Sequence, residues 1–226
     1  MPGWKDCELF VVATPIGNLE DITYRAVSVL SQADLILCED TRVTGTLLHR
    51  YQIKKKMQRC NASNEFKLRY EDFFTDFPKI ALVTDSGTPG ISDPGKAITG
   101  FCHSHGIKIS VIPGPCAAIA ALSCSGFSSK NFLFFGFLPN RKQKRKFILQ
   151  TLLADEKKVL IFYESPYRLL NFLQICVEIN PELPMVIGRE LTKIYEEIIK
   201  KNANEFLNYY ENLKIRGELV ILVDNT

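Results

Sequence analysis

Carboxylates, hydroxyl side chains and glycines gather in five short clusters of this sequence, each directly after an apolar run. Thr14-Pro15-Ile16-Gly17-Asn18 follows Leu9 to Ala13. A tight turn there exposes backbone groups to a ligand, although on spacing alone a plain strand-to-helix turn explains it. Glu39-Asp40-Thr41-Arg42 follows Leu35 to Cys38. Such a group can transfer a proton or orient a phosphate. It can equally be a helix N-cap, Asp40 or Thr41, with a neighbouring ion pair, and the two readings are compatible. Phe162-Tyr163-Glu164-Ser165-Pro166 and Arg189-Glu190-Leu191-Thr192-Lys193 each end a further apolar run. Singly each could be surface ion pairing; five polar strand ends in one chain point to a site.

The richest cluster is Thr84-Asp85-Ser86-Gly87-Thr88-Pro89-Gly90-Ile91-Ser92-Asp93-Pro94-Gly95. Its glycines and prolines make a rigid loop, poor in side chains, whose backbone can approach a flat or charged ligand. Connections in α/β units usually need only about 2–6 residues, so this one is read as functional. Gly90 to Lys96 has Walker A spacing, but the next residue is Ala97, which offers no hydroxyl to Mg²⁺. Pro94 removes an N–H from the cradle, and Asp93 repels phosphate. A triphosphatase is excluded. So is the dinucleotide fingerprint, since no two glycines are spaced G-x-G. There is no G-x-S-x-G elbow either, and His49, His103 and His105 lack the partners of a metal site. No metal is expected.

The elements that must position these clusters alternate. Strand-like runs at Leu9 to Ala13, Leu35 to Cys38, Ile80 to Val83 and Lys108 to Ile112 are separated by helical patterns, including Asp21 to Ser31 with Asp21 near its start as cap. That order predicts an α/β fold with a mostly parallel sheet covered on both faces. Pro113-Gly114-Pro115 is the strongest punctuation and divides the chain into an N-terminal α/β domain, 1–113, and a C-terminal one, 114–226. The second half opens with a small-residue helix, Cys116 to Ser125. Strand-like runs follow at Phe132 to Phe135, Val159 to Tyr163, Met185 to Gly188 and Leu219 to Val223, and the alternating stretch Ile194 to Lys200 reads as an edge strand.

A chain of 226 residues with 46% hydrophobic and 23% charged residues folds around a sizeable core. Its net charge of +3 diagnoses nothing by itself. One run, Arg141-Lys142-Gln143-Lys144-Arg145-Lys146, is positive at five of six positions. By default it is a solvated helix face, but Arg141, Lys142, Lys144, Arg145 and Lys146 could also contact a phosphate backbone in a salt-dependent way. The seven cysteines are odd in number and show no C-x-x-C spacing, which predicts reduced thiols. No signal-peptide core and no run long enough to span a bilayer is present, so a cytoplasmic protein without a membrane partner is expected.

Taken in order, these clusters resemble the ribosomal RNA small-subunit methyltransferase I family. Thr14 to Asn18 with Asp21-Ile22-Thr23, Glu39 to Arg42, Asp85 to Gly95, Pro113 to Pro115, Phe162 to Pro166 and Arg189 to Lys193 are similar to its motifs from Leu9 to Val223. The resemblance implies the two-domain tetrapyrrole-methylase fold (class III of the S-adenosylmethionine methyltransferases), with a mixed C-terminal sheet and the cofactor in the cleft between the domains. It also implies a homodimer that methylates a cytidine 2′-hydroxyl of 16S rRNA in the small ribosomal subunit. By the same analogy S-adenosylmethionine would contact Pro15, Ser86, Gly87, Thr88, Ile91, Ser92, Cys116, Ala117, Tyr163, Glu190 and Leu191. The family's aromatic-His-x-x-Asn segment is replaced by Arg59-Cys60-Asn61-Ala62-Ser63-Asn64-Glu65. Many relatives continue beyond the position of Val223, so RNA binding is expected to lean on the Arg141 to Lys146 run and on a dimer partner.

Methyl transfer from a sulfonium is an in-line displacement that chiefly requires alignment. A ribose hydroxyl is a weak nucleophile, so a base or a charge that stabilises its alkoxide should help. Glu39, Asp40, Glu164 and Glu190 are the candidate carboxylates and Arg42, Arg189 and Lys193 the candidate cations; the sequence does not choose among them. Two other readings stay open: a small-molecule methylase acting on a tetrapyrrole or corrinoid, and a non-catalytic ribosome-binding relative.

Overall fold

The computed structural model describes residues 8–128, 130–154 and 158–226, and the chain divides into two compact units, Met1–Cys116 and Ala117–Thr226. The first unit carries five strands: β1 (Glu8–Val12), β2 (Leu35–Cys38), β3 (Lys56–Arg59), β4 (Lys79–Leu82) and β5 (Lys108–Ile112). Their order is β3-β2-β4-β1-β5 and every pairing is parallel. The helices are α1 (Tyr24–Gln32), α2 (Thr41–Arg50), α3 (Tyr70–Asp76) and α4 (Lys96–His105).

A parallel sheet survives only with both faces covered, and β2 shows how the sequence achieves it. Leu35 and Leu37 pack with Phe74 of α3 and Ile98 and Cys102 of α4. Ile36 and Cys38 point the other way, against Ala26 and Leu30 of α1 and Leu48 of α2. All four strand residues are therefore buried, and no polar alternation marks the strand. Burial also pushes the Cys38 thiol up to about 11, so it is a core residue and not a nucleophile. It is one of six described cysteines that are free; Cys7 lies outside the described residues.

Connections from β1 to β2 to β3 cross the sheet in one direction, and those from β3 to β4 to β5 return in the other. Right-handed crossovers then place α1 and α2 on one face and α3 and α4 on the opposite one. The neighbours β2 and β4 send their outgoing chains apart, to β3 on one side and to β5 on the other, so a crevice opens at their C-terminal ends.

Two local expectations need correction. Thr23, not Asp21, caps α1: its Oγ1 accepts from Ala26 N at 3.1 Å, while Asp21 closes a short 3-10 turn, Leu19–Asp21. The strand β3 has only Met57 as an apolar residue and is not foreseen from the sequence. It is an edge strand, and its exposed lysine and arginine suit an edge that must not recruit another chain.

The second unit holds β6 (Phe132–Phe137), β7 (Val159–Glu164), β8 (Pro184–Arg189), β9 (Glu197–Asn202) and β10 (Leu219–Asp224) in the order β6-β7-β10-β8-β9. β6 pairs parallel with β7 and the remaining pairs are antiparallel, so the sheet is mixed. Phe162, Ile187 and Ile221 pack with side chains of α6 (Lys142–Ala154), α7 (Pro166–Ile179) and α8 (Ala203–Tyr210). α5 (Ala117–Cys124) packs against β7 and β10. The edge strand expected from Ile194 begins only at Glu197, because residues 190–196 form a tight turn. No described helix is long and apolar enough to cross a membrane.

Candidate active site

The loops that follow β1 and β4 beside this crevice are stitched together by buried hydrogen bonds. Thr14 N donates to Gly87 O at 2.8 Å and Gly87 N donates back to Thr14 O at 3.2 Å. Thr14 Oγ1 donates to Thr84 O and Gly87 O at 3.1 and 3.3 Å. Thr88 Oγ1 donates to Pro115 O at 3.0 Å. Among the expected cofactor contacts, Pro15 and Gly87 are buried beneath this frame, Thr88 is half-buried, and Ser86, Ile91 and Ser92 face solvent. Ser92 has φ +68°. A serine held there costs on the order of 1–3 kcal/mol, a strain that persists only where the surroundings impose it.

Acidic side chains converge at the same sheet edge. Asp40 N-caps α2 through Arg42 N at 2.8 Å, and its own N–H donates to Asp85 Oδ1 at 3.0 Å. Of the two readings of the Glu39 to Arg42 cluster, the structure shows the helix cap with its neighbouring ion pair: Asp40 is both. Arg42 Nη2 lies 2.6 Å from its carboxylate and holds it well below the usual carboxylate range. The other carboxyls shift upward. Burial, then the charge of Asp85, raises Glu39. Burial and the charge of Asp40 raise Asp85. Asp93 is pushed up to about 6 by burial first, then by Glu39 and Asp85. Arg59 Nε donates to Glu39 O at 3.2 Å and moderates this negative field.

Asp85, Asp93 and Arg59 join the site although no spacing in the sequence marks them as candidate catalytic groups. Asp93 did carry a signal: the negative charge that excludes a phosphate ligand suits a cationic one. Glu65 carries no such mark either. It is 7% exposed, and its Oε2 accepts from Gly95 N at 3.0 Å and Ala97 N at 3.3 Å. It thus supplies from a distant segment the cap that Gly95 cannot provide for α4. Gly95 has φ +146°, and a Cβ there would stand 3.1 Å from Leu82 Cδ2. Asn61 and Asn64 fix the approach of Glu65: Asn61 N donates to Asn64 Oδ1 at 2.7 Å, and Asn64 Nδ2 donates to Arg59 O at 3.1 Å. That is what the segment without the family histidine builds.

In the second unit, Tyr163, one residue before the end of β7, has its ring against Phe134 and Phe137, at centroid distances of 5.0 and 5.6 Å. Residues three apart on a strand would normally face opposite ways. A bulge at Phe134/Gly136 turns both toward Tyr163. Ala118 N, in the first turn of α5, donates to the Tyr163 hydroxyl at 3.3 Å. Cys116, which closes the first unit, and Ala117 at the start of α5 are both half-buried.

The turn after β8 is rigid. Glu190 and Thr192 have φ +50° and +66°. Lys193 Nζ lies 2.9 Å from Glu190 Oε1 and 3.0 Å from Glu218 Oε2. The Lys193 hydrogen bond holds Glu190 below its ordinary value. Burial alone would lower Lys193, but its two carboxylate partners outweigh it and raise it. Arg189 Nε pairs with Glu197 Oε2 at 3.0 Å, and Leu191 is buried under the turn. Gly217, at φ +92°, sits where a Cβ would run into the Glu190 side chain. Gly217→Ala is therefore expected to cost about 2 kcal/mol, read as a melting temperature lower by roughly 4–8 °C; an unchanged melting curve would show the turn to be pliable.

Two expected roles are corrected by burial. The Glu164 side chain is fully buried, paired with Arg168 Nε and accepting from Ser165 N at 2.8 Å, so it cannot reach a substrate hydroxyl. Arg145 is 2% exposed: Nη1 donates to Asn171 Oδ1 at 2.8 Å and Nε to Pro139 O at 3.3 Å. It anchors α6 to α7 and offers nothing to RNA. Lys146 is tied to Glu178 at 2.6 Å, while Arg141, Lys142 and Lys144 are exposed.

A crevice at a topological switch point, framed by a strained glycine loop and lined by desolvated carboxyls, calls for a ligand that carries positive charge. Comparison with known proteins decides which. The family model of the tetrapyrrole (corrin/porphyrin) methylases matches residues 8–207. The chain belongs to this family. It is 40% identical over 218 residues to ribosomal RNA small subunit methyltransferase I of Thermotoga maritima, covering 96% of this chain and 97% of that one. It is 44% identical over 223 residues to the protein of that name from Borrelia garinii, covering 96% and 99%. Among solved structures, the methyltransferase CobJ superposes with TM-score 0.70 at 17% identity, covering 97% of this chain and 95% of that one. Uroporphyrin III C-methyl transferase from Thermus thermophilus gives 0.66 at 16%, covering 95% and 96%. These last two likenesses establish the fold.

As a methyltransferase of this family, the chain takes S-adenosylmethionine as its methyl donor. The crevice fits that group. Its backbone stands open at Gly90, where a Cβ would meet nothing within 4 Å, and the carboxyls of Glu39, Asp85 and Asp93 complement a sulfonium better than any anion.

Proposed function

We propose that this protein transfers the methyl group of S-adenosylmethionine to the 2′-hydroxyl of a cytidine ribose in 16S rRNA of the small ribosomal subunit, as a cytoplasmic homodimer. The observation that carries the reading is the end-to-end likeness, at 40 and 44% identity, to two proteins named for small-subunit rRNA methylation. The geometry supports the chemistry. Bound donor supplies an electrophilic methyl on a cationic sulfur. Gly87 and Thr88, pinned by Thr14 and Pro115, hold the loop that receives it. Asp93, its carboxyl pushed up to about 6, accepts the proton of the attacking hydroxyl; burial first, then repulsion by Glu39 and Asp85, keeps its basicity high.

Labelled donor incubated with small subunits lacking the methyl group tests the reading, with free tetrapyrroles assayed in parallel. Label in RNA, resistant to alkali at one ribose, is the expected result. Label in a tetrapyrrole alone would overturn the substrate while leaving the cofactor in place. RNA affinity should also fall steeply with salt, and the double variant Lys142→Ala/Lys144→Ala should flatten the logarithmic salt slope by about 2. An unchanged slope would remove these lysines from the RNA interface.

A further inference from the structure

Helix α6 inverts the usual distribution of its side chains. Arg145 is 2% exposed and Phe147, two residues on, is 69% exposed. At about 100° per residue, Arg145 and the buried Leu149 share the inner face, while Phe147 stands on the opposite side, roughly 200° from Arg145. Gln143 and Lys144 lie one turn before it and Gln150 and Thr151 one turn after, all exposed. The helix cannot roll to exchange the two. Arg145 is held by Asn171 and Pro139, and Lys146 by Glu178 on α7. A fold that buries an arginine and leaves a phenylalanine in water on the same helix departs from the pattern that specifies it, and such departures mark functional positions. A lone exposed ring needs no explanation; this one stands on a helix fixed in orientation, with the exposed Lys144 one turn before it on the same side and the exposed Arg141 and Lys142 at the start of the helix.

An aromatic face with one cation beside it and two more at the near end of the helix is what an unpaired nucleotide requires: the base stacks and the backbone phosphates find counter-charge. The positive charge speaks against a basic or neutral partner and commits the surface to a polyanion. We propose that Phe147, together with Arg141, Lys142 and Lys144, forms a docking platform for an unpaired segment of RNA, with Phe147 stacking on one base. The inference rests on the rRNA reading above and adds to it the conformation of RNA that the second unit recognises.

The test measures anisotropy of a short fluorescein-labelled unpaired oligoribonucleotide and of its fully paired duplex, beside methyl transfer to unmethylated small subunits. Phe147→Ala is expected to weaken unpaired RNA binding about tenfold, with the salt slope unchanged. Phe147→Trp should restore it, and Lys144→Ala should lower the slope by about 1. The preference for unpaired over paired RNA should vanish in Phe147→Ala. Equal affinity of Phe147→Ala and the unaltered protein overturns the platform, even if methyl transfer to small subunits proceeds normally. If the unaltered protein neither binds RNA nor labels small subunits, the rRNA reading falls and the platform with it. Sedimentation of Phe147→Ala completes the set: a changed oligomeric state, with RNA affinity following it, would assign the ring to contact with a second copy and overturn the proposal.

Discussion

Asp93→Asn is expected to lower methyl transfer at saturating donor by about 10²-fold, the range lost when a positioned general base is removed, while making the protein more stable at neutral pH. The two effects share one cause. Burial and the charges of Glu39 and Asp85 raise the Asp93 carboxyl from 3.8 to about 6. Between those values the folded state holds a proton that the unfolded chain has released. Stability therefore falls as pH rises through that window and does not recover above it. Asparagine carries no charge to desolvate. The gain in melting temperature of Asp93→Asn should thus be small near pH 4 and largest near pH 8, a modest gain because Asp93 is only partly buried. Activity runs the other way: the unaltered enzyme should lose rate below about pH 6, and Asp93→Asn should be flat there. A variant more stable at pH 8 but fully active would mean that Asp93 is a strained structural residue and that the proton goes elsewhere. One neither more stable nor less active would mean that its carboxyl is not perturbed at all.

What the sequence reveals here and what it conceals divide along physical lines. Buried parallel strands such as Leu35–Cys38 are apolar throughout and read directly, as does the glycine-rich loop from Thr84 to Gly95. The edge strand Lys56–Arg59 does not, because an edge is stabilised by backbone pairing and kept polar on its open side. In the basic run, spacing alone could not say that Arg145 faces inward: its partners, Asn171 and Pro139, stand at sequence distances of 26 and 6. Glu164 misleads as well, since its partner Arg168 is only four residues on and the two look like a surface pair until the full burial of the Glu164 carboxylate is known. The acidic group at the crevice is distributed over Glu39, Asp85 and Asp93, on two loops that only the strand order β2-β4 brings side by side. Its carboxyls are individually unremarkable. Their raised pKa values arise from proximity and burial, which no local motif encodes.

The second large effect is expected at Glu65, which acts through α4 and not by touching donor or substrate. Removing its carboxylate in Glu65→Ala leaves the N–H groups of Gly95 and Ala97 buried without the acceptor they now share. Each unsatisfied donor costs about 1–3 kcal/mol. A loss of about 3 kcal/mol would lower the melting temperature by roughly 6–12 °C at this chain length. Gly95 also ends the loop that begins at Thr84, and its φ of +146° is available to few other residues. Releasing that end should loosen the loop and weaken S-adenosylmethionine binding about tenfold, measured by calorimetry well below the melting transition. Glu65→Gln separates the two contributions of the side chain. Its amide oxygen can still accept from both N–H groups, so most of the stability and donor affinity should return. Only the attraction between a negative charge and the positive end of α4 is lost, about 0.3–1 kcal/mol. If Glu65→Ala binds donor as tightly as the unaltered protein despite a lower melting temperature, the loop is held by Thr14, Gly87 and Thr88 alone and Glu65 serves only the fold. If Glu65→Gln is as damaged as Glu65→Ala, the charge matters more than the hydrogen bonds, and Glu65 belongs with the acidic residues of the crevice.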